Sequence, residues 1–403
     1  MKKMLFVLFA VVGGALFVVV GAFVSNKLSK PRPDSLIEEA DESNDVAEAR
    51  RLIDAAKDND VAEVRRFIDA GADVNEKNDD GVTALMCVTL YNSNGVAKLL
   101  IKSGADVNAK DDYGHTALRW STVRNSAGVA KLLIDAGADI DAKNNAGNTA
   151  LICSADYNSV GVAKLLIDAG ADIDAKNNYG NTALMRSAEN NSMGVAKLLI
   201  DAGADIDAKD NYGYTALMSA VHYKSVDMAK ILIEAGTDVD AKNNTGDTAL
   251  MIAGWNDSAA VAKLLLEAGA DIGAKDGYDH TPIFYAALFE SPGVAKLLID
   301  AGADINARNK AGDTPLRYAS GGVTSDVVKL LVKAGANLND KNDDGETALM
   351  AAALINSADT ARVLIEAGAD VNAKNNDGET ALMIASQENA KDVVRLLKAA
   401  GAR

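Results

Sequence analysis

Hydrophobic residues recur along this chain in short helical phrases, set apart by turns rich in Asn, Asp and Gly. From Asn177 to Lys209 the phrase reads NNYGNTALMRSAENNSMGVAKLLIDAGADIDAK. Asn177-Asn178-Tyr179-Gly180 has turn chemistry, and Gly180 supplies a positive φ that a side chain would resist. Thr182 is placed to cap a short helix from Ala183 to about Glu189. Asn191 ends that helix, because Asn tolerates the left-handed conformation. Ser192 reads as the cap of a second helix, Gly194 to Ala202, whose Val195, Leu198 and Leu199 form an apolar stripe at helical spacing. Gly203 ends this helix, and Ala204-Asp205-Ile206-Asp207 runs on as an extended arm.

The phrase is 33 residues long and it repeats. The glycine at 203 has counterparts at 71, 104, 137, 170, 236, 269, 302, 335, 368 and 401, with no insertion or deletion. A fixed period of this size means stacked supersecondary units rather than separate globular domains. Counting positions from Asn78, eleven units follow: 45–77 as an N-terminal cap, 78–374 as nine full repeats and 375–403 as a C-terminal cap. Ser holds position 16 in most of them, and Pro292, directly after Ser291, falls at a first helical position where its missing N–H costs nothing. The first unit lacks Thr-Ala-Leu and carries Arg50, Arg51, Arg65 and Arg66; the last carries Lys391, Arg395 and Lys398, as the polar face of a terminal unit requires. The fold class predicted is an all-α repeat solenoid of helix-turn-helix units joined by β-hairpin-like turns, preceded by one N-terminal hydrophobic helix.

Gly81-Val82-Thr83-Ala84-Leu85-Met86, Val96-Ala97-Lys98-Leu99-Leu100 and Gly104-Ala105-Asp106-Val107-Asn108 carry a family pattern. They resemble the Gly-x-Thr-Pro-Leu-His, Val-x-x-Leu-Leu and Gly-Ala-Asp-Val-Asn segments of ankyrin repeats, and the likeness runs from about Asp45 to Arg403. The resemblance implies an ankyrin stack that binds a protein partner on its turn tips and the concave side of its first helices, with no reaction. Two departures stand out. The proline survives at Pro282 and Pro315, and the histidine is replaced in every repeat by Met, Arg, Ile or Phe. In the family that histidine joins a polar network tying neighbouring turns, so a softer solenoid is expected here.

Met1-Lys2-Lys3 precedes Met4 to Val24, an uncharged apolar run long enough to cross a bilayer as a helix. Read as an anchor, it leaves the repeats outside the cytoplasm. Read as a secretory signal cleaved near Val20-Gly21-Ala22, it leaves a secreted or periplasmic protein. Residues 25–44 form a linker, stiffened by Pro31 and Pro33 and solvated by acidic residues from Glu38.

The net charge of −16 opposes nucleic-acid binding and adhesion to anionic lipid, and favours a protein partner with a neutral or basic surface. Membrane contact is then expected through residues 4–24 alone. The two cysteines, Cys87 and Cys153, hold the same position two repeats apart. At about 8–10 Å per helix layer they are too distant for a disulfide, and both are expected to be reachable from solvent. The three histidines lie in three different repeats, so they cannot share a metal or a catalytic pair, and no nucleophile–base constellation or cofactor site is expected. Asp340, Asn342, Asp344 and Gly345 imitate a calcium loop, but Ala351 replaces the closing Glu. Asp-x-Asp pairs such as Asp139/Asp141 and Asp172/Asp174 read as turn caps.

Five of the 33 positions (3, 5, 10, 13 and 14) hold all ten tyrosines, both tryptophans and all three histidines. Aromatic residues with Arg carry most binding energy at protein interfaces. The candidate protein-binding residues are therefore Tyr113, His115, Trp120, Arg124, Tyr157, Tyr179, Arg186, Tyr212, Tyr214, His222, Tyr223, Trp255, Tyr278, His280, Tyr285 and Tyr318. Positions 3 and 5 both read as exposed tips. Asp279, in place of a turn glycine, and Gly321-Gly322 mark a place where the stack is expected to bend more easily.

Overall fold

The computed structural model describes residues 44–403, with side chains from Arg50 onward. The apolar run at 4–24 and most of the linker lie outside the described residues. Among those described, no helix is long and apolar enough to cross a membrane. They form 22 helices and no strand, and divide into two compact units, one ending at Ala249 and one from Leu250 to Arg403.

In the first unit the helices come in pairs: Asn44–Lys57 with Val61–Asp69, Ala84–Leu90 with Asn94–Lys102, and Ala117–Trp120 with Ala127–Asp135. Ala150–Tyr157 with Val160–Asp168, Ala183–Asn190 with Met193–Asp201, and Ala216–His222 with Val226–Glu234 complete it. The second unit holds nearly all of Ala249–Asn256, then Ala259–Glu267, Pro282–Leu288 with Pro292–Asp300, and Pro315–Ser320 with Asp326–Lys333. Ala348–Leu354 with Ala358–Glu366 and Ala381–Gln387 with Lys391–Ala399 follow. Within each unit, first helices pack on first helices and second helices on second helices. The second helix buries one stripe completely, Val162, Ala163 and Leu166 in the fourth repeat. Burying each such Leu contributes roughly 1.5–3 kcal/mol.

The caps divide the expectation in half. Thr83, Thr116, Thr149, Thr182 and Thr215 each accept the backbone N–H three residues on, at 3.3–3.4 Å, as the sequence predicts for the first helix. The position-16 serines stand at the start of the second helix but do not cap it. Ser159 donates its hydroxyl to the carbonyl of Thr122, just past the preceding repeat's first helix, and Ser192 to that of Ala155, near the end of its own preceding first helix. The cap comes from the preceding repeat instead. Asn125 Oδ1 accepts the N–H of Val162 at 3.0 Å, Asn158 Oδ1 accepts from Gly194 and Val195, and Asp257 Oδ1 accepts from Val294. These residues all have positive φ, between 50° and 53°, the left-handed conformation expected at position 15, which aims the side chain across the repeat boundary.

One first helix is much shorter than the rest. Ala117–Trp120 is four residues long. Ser121 and Thr122 follow it and donate their hydroxyls back to the carbonyls of Leu118 and Arg119 at 2.6 and 2.8 Å, competing with the helical ladder.

The turns are stitched by three rows of bonds. Asn145, Asn178, Asn211 and Asn244 donate their amides to the carbonyl one repeat back at 3.0–3.1 Å. Lys77, Lys110, Lys143, Lys176 and Lys209 each donate to the carbonyl of the next repeat's lysine at 2.7–3.0 Å. Asp139 and Asp172 accept the N–H of Asp141 and Asp174 at 3.1 Å, so the Asp-x-Asp pairs cap turns as expected, and Asp141 and Asp174 in turn accept the N–H of Asp172 and Asp205 in the next repeat at 3.1 and 2.9 Å. The hairpin-like pairing is much reduced: among the described residues it appears as two isolated bridges, Lys77 with Thr83 and Lys374 with Thr380. Asp279 adopts a positive φ of 66° in its turn. After Gly321-Gly322 the chain is braced by Glu290, whose carboxylate accepts from the N–H groups of Val323 and Thr324.

Candidate functional site

The turn tips of the first unit present three tyrosines. Tyr113, Tyr179 and Tyr212 are 59, 48 and 56 % exposed. Each is held at both ends of its peptide. Their N–H groups donate to the Asp111, Asn177 and Asp210 side chains at 2.8–2.9 Å. Their carbonyls accept the N–H of Asn145, Asn211 and Asn244 in the next turn at 3.0–3.1 Å. The following glycine completes the turn: a Cβ at Gly180, with φ of 83°, would lie 2.6 Å from the Asn211 nitrogen. The rings therefore stand outward on a backbone that is already fixed. Tyr278, also exposed, repeats the arrangement in the second unit, with its N–H on Asp276 at 2.7 Å.

Position 5 departs from the expectation. His115, Tyr214 and His280 are half-buried rather than at the tip. The reason is the turn itself: the position-1 side chain accepts the position-5 N–H, at 2.7 Å between Asp111 and His115, which rolls that side chain back over the first helix. His115 Nδ1 then meets Asp111 Oδ2 at 3.1 Å, and Trp120 Nε1 donates to the same oxygen at 2.9 Å. Burial raises the Asp111 carboxyl, but the bonds and charge from His115 outweigh it and hold it below its ordinary value of 3.8.

The rest of the first-unit candidates line the first helices. Arg124 and Tyr223 are exposed; Trp120, Tyr157, Arg186 and His222 are half-buried. Arg186 is committed to structure: its guanidinium holds Asp156 of the preceding repeat at 2.6 Å and Glu189 of its own. His222 packs edge-on to Tyr223 at 5.0 Å, and burial pushes it below 6.5. Cys87 and Cys153 are 6 and 1 % exposed, which corrects the expectation that they reach solvent. They are small enough to sink between neighbouring first helices, and burial pushes the Cys87 thiol up to about 11.

In the second unit Asp276 accepts from His280 Nδ1 at 3.0 Å and from the Tyr285 hydroxyl at 2.9 Å. His280 Nε2 reaches the Tyr318 hydroxyl at 3.0 Å and the Asn309 amide at 3.1 Å, both in the next repeat. Tyr318 is 9 % exposed and so is a core residue rather than a surface one. Burial pushes its phenol up to about 12, which unfits it as a nucleophile and marks the chain of bonds as a tie between repeats. Arg317 extends the tie, lying 2.7 Å from Asp313 and also against Glu346 of the following repeat. Side chains at positions 1, 5 and 10, Asn309, His280 and Tyr318, thus tie these two repeats together. Trp255 and Tyr285 are half-buried against Phe289, with ring centroids 5.8 and 6.4 Å away. Among the described residues, no group of three or more His, Cys, Asp or Glu side chains is placed to hold a metal.

Sequence reasoning passed over the partners that orient these rings: Asp111, Asp276, Asn309 and Phe289. A signal for the first two was present. Both histidines at position 5 follow an Asp at position 1, whereas the acids Asp247, Asp313, Glu346 and Glu379 follow an Asn. Asn243, Asn342 and Asn375 donate their amides to Asp247, Glu346 and Glu379 at 3.0, 3.1 and 3.2 Å, whereas the Asn309 amide turns to His280 and Tyr318.

These features define a helix-pair repeat scaffold with outward rings on preformed turns. A family model described as ankyrin repeats, three copies, matches residues 52–144, 140–210, 208–276, 275–342 and 319–403, and the chain belongs to the ankyrin-repeat family. No curated protein matches its sequence. Ankyrin repeats indicate a protein–protein interaction scaffold, and the family is typically non-catalytic.

Proposed function

We propose that this chain captures a protein partner with a neutral or basic surface on the tyrosine-bearing turn tips and adjoining first helices of its repeats, and that residues 4–24 tether it to a membrane. The observation that carries the reading is the row of Tyr113, Tyr179 and Tyr212, exposed on backbones already bonded at both ends. Fixing the backbone that carries the ring before binding removes part of the ordering cost of association. Arg124, exposed beside them in sequence order, adds a cation to a chain of net charge −16.

Changing Tyr113, Tyr179 and Tyr212 together to Ala should abolish capture of a partner crosslinked in the source cell, with the helical circular dichroism and melting unchanged. Capture that survives the triple change would overturn the proposed face. The tether is tested separately by sequencing the N-terminus of the protein recovered from the membrane fraction and from the fractions free of membrane. An intact apolar run in the membrane fraction supports the anchor, and labelling of the repeats by a membrane-impermeant reagent with the inner membrane closed supports their display outside the cytoplasm. A start just after Ala22 supports the second reading, an exported protein acting free of the membrane, which the small residues Val20-Gly21-Ala22 favour.

A further inference from the structure

The ninth repeat joins its two helices differently from the others. Position 15 takes a positive φ in the other ten units, from Asn59 to Asn389. In the ninth it is Val323, whose β-branched side chain resists that conformation, and the tight corner is lost. Helix Pro315–Ser320 stops before Gly321, and the next helix starts at Asp326, one position later than its counterparts. Ser325, ahead of it, makes no side-chain cap. Val323 is 77 % exposed, more than any other large apolar side chain among the described residues.

One side chain holds this segment down. Glu290, at position 15 of the eighth repeat, accepts from the N–H groups of Val323 and Thr324, the second at 3.0 Å. Its carboxylate lies where a Cβ on Gly322 would sit. Gly322 has no positive φ, so the carboxylate requires the glycine and the backbone does not. The N–H groups of Gly321 and Gly322 reach back to the carbonyls of Arg317 and Ala319. Those of Val323 and Thr324 rely on Glu290. Proteases cut exposed connecting segments that lift from the fold at little cost, and they bind the lifted chain extended. Gly321-Gly322-Val323 suits such binding: two residues without side chains lead to one aliphatic group in solvent. Val61, Val160 and Val226 are 37–38 % exposed, but each is the first residue of a helix, where the backbone is already wound.

We propose that the Val323–Thr324 bond is a proteolytic processing site for an endopeptidase with a small aliphatic pocket, and that Glu290 is its latch. Water adds across the peptide: Val323 leaves with the new carboxylate and Thr324 with the amino group. The cut divides the ninth repeat between its helices, with Arg317 on one piece and its partner Glu346 on the other. The site uses neither the tyrosine tips nor the tether.

The test digests the full chain under native conditions with elastase, whose specificity pocket is small and apolar, and follows fragment masses over time. The first cut should yield a piece that begins at Thr324. Val323→Asp, a change at a side chain already in water, should slow that cut at least tenfold with the circular dichroism unchanged. Glu290→Gln weakens both bonds, and Gly322→Ala displaces the carboxylate. Each should speed the cut about tenfold, the scale of one charge-assisted hydrogen bond. Trypsin supplies the control: its cutting outside the ninth repeat should stay at the native rate in both variants. A first cut elsewhere, or a rate indifferent to Val323→Asp, overturns the site. A rate unchanged by both Glu290→Gln and Gly322→Ala, or a matching rise in trypsin cutting throughout the chain, overturns the latch.

Discussion

The Asp111–His115 pair and the Asp276–His280 pair occupy the same two positions of the repeat, and they end differently. In the first unit the pair closes on Trp120, and all three residues belong to one repeat. In the second the pair takes Tyr285 in place of the indole, then continues through the far nitrogen of His280 to Tyr318 and Asn309 of the next repeat. The difference comes from a neighbour. Position 10 of the following repeat is Cys153 in one case and Tyr318 in the other. A thiol sunk against the helix cannot span the distance that a phenol can. One local motif thus serves as a private clasp or as a tie between layers, according to a side chain 38 residues away.

The tie should be broken most severely at Arg317, whose side chain is 6 % exposed between two carboxylates. Replacing it by Met strands the buried Asp313 carboxylate and should cost about 3 kcal/mol, while Glu346 keeps water and the Asn342 amide. Hydrogen exchange should then quicken across Pro315–Leu354; exchange confined to the mutated helix would show that the layers are not coupled there. Tyr318→Phe and Trp120→Phe make a contrasting pair, the first removing the hydroxyl that meets both His280 and Asn309 and the second the single indole bond to Asp111, each bond worth about 0.5–1.5 kcal/mol. The first should loosen Pro282–Leu288 as well as its own helix, and the second should stay within its own repeat. Similar spread in both variants would erase the contrast.

Acid titration sharpens the comparison further. The Asp111 and Asp276 carboxyls are held below 3.8 in the folded chain, so their contribution is complete above that value and is lost as pH falls through the lower folded one. Asp111→Asn and Asp276→Asn should therefore each reduce the loss of urea stability below pH 4, and an unaltered acid limb would sink the assignment. His222 works in a different window and in the first unit alone. Its folded value lies below 6.5, so the unfolded chain takes up the proton first and stability declines as pH falls through 6.5. His222→Gln should flatten that slope. The smallest effect is expected at the tips: Tyr179→Ala and Tyr212→Ala should change stability by no more than about 0.5 kcal/mol, because each ring is about half in water.

The repeat frame, the Thr caps and the left-handed position-15 residues were legible because each is a local matter of period, hydroxyl or φ. Ser192 was misread because its partner, the carbonyl of Ala155, lies 37 residues back and leaves no mark beside the serine. His115 and His280 looked like tip residues because spacing alone does not reveal which way an Asx turn rolls the next side chain. The Asp that precedes each by four residues did carry that information. Cys87 and Cys153 share position 10 with Trp120 and Arg186, and the residues themselves, by size, decide which sink and which remain partly in water. At Gly321-Gly322, where the sequence suggests a place of easier bending, the carboxylate of Glu290 fills the space over Gly322 and accepts from the N–H groups beyond it.

Asn125 and Asn158 have a consequence for how such chains can be cut and joined. Each begins a helix that belongs, by sequence, to the next copy of the motif. A crossover at the 33-residue boundary would deliver a helix without the side chain that starts it, unless the upstream copy also ends its first helix in Asn or Asp. Recombination between such arrays, natural or in the laboratory, is therefore licensed at a junction by the copy that stays behind rather than by the copy that moves. Val323 offers the arriving helix no such group, so an insertion after the ninth repeat should be tolerated less well than one after the third or fourth.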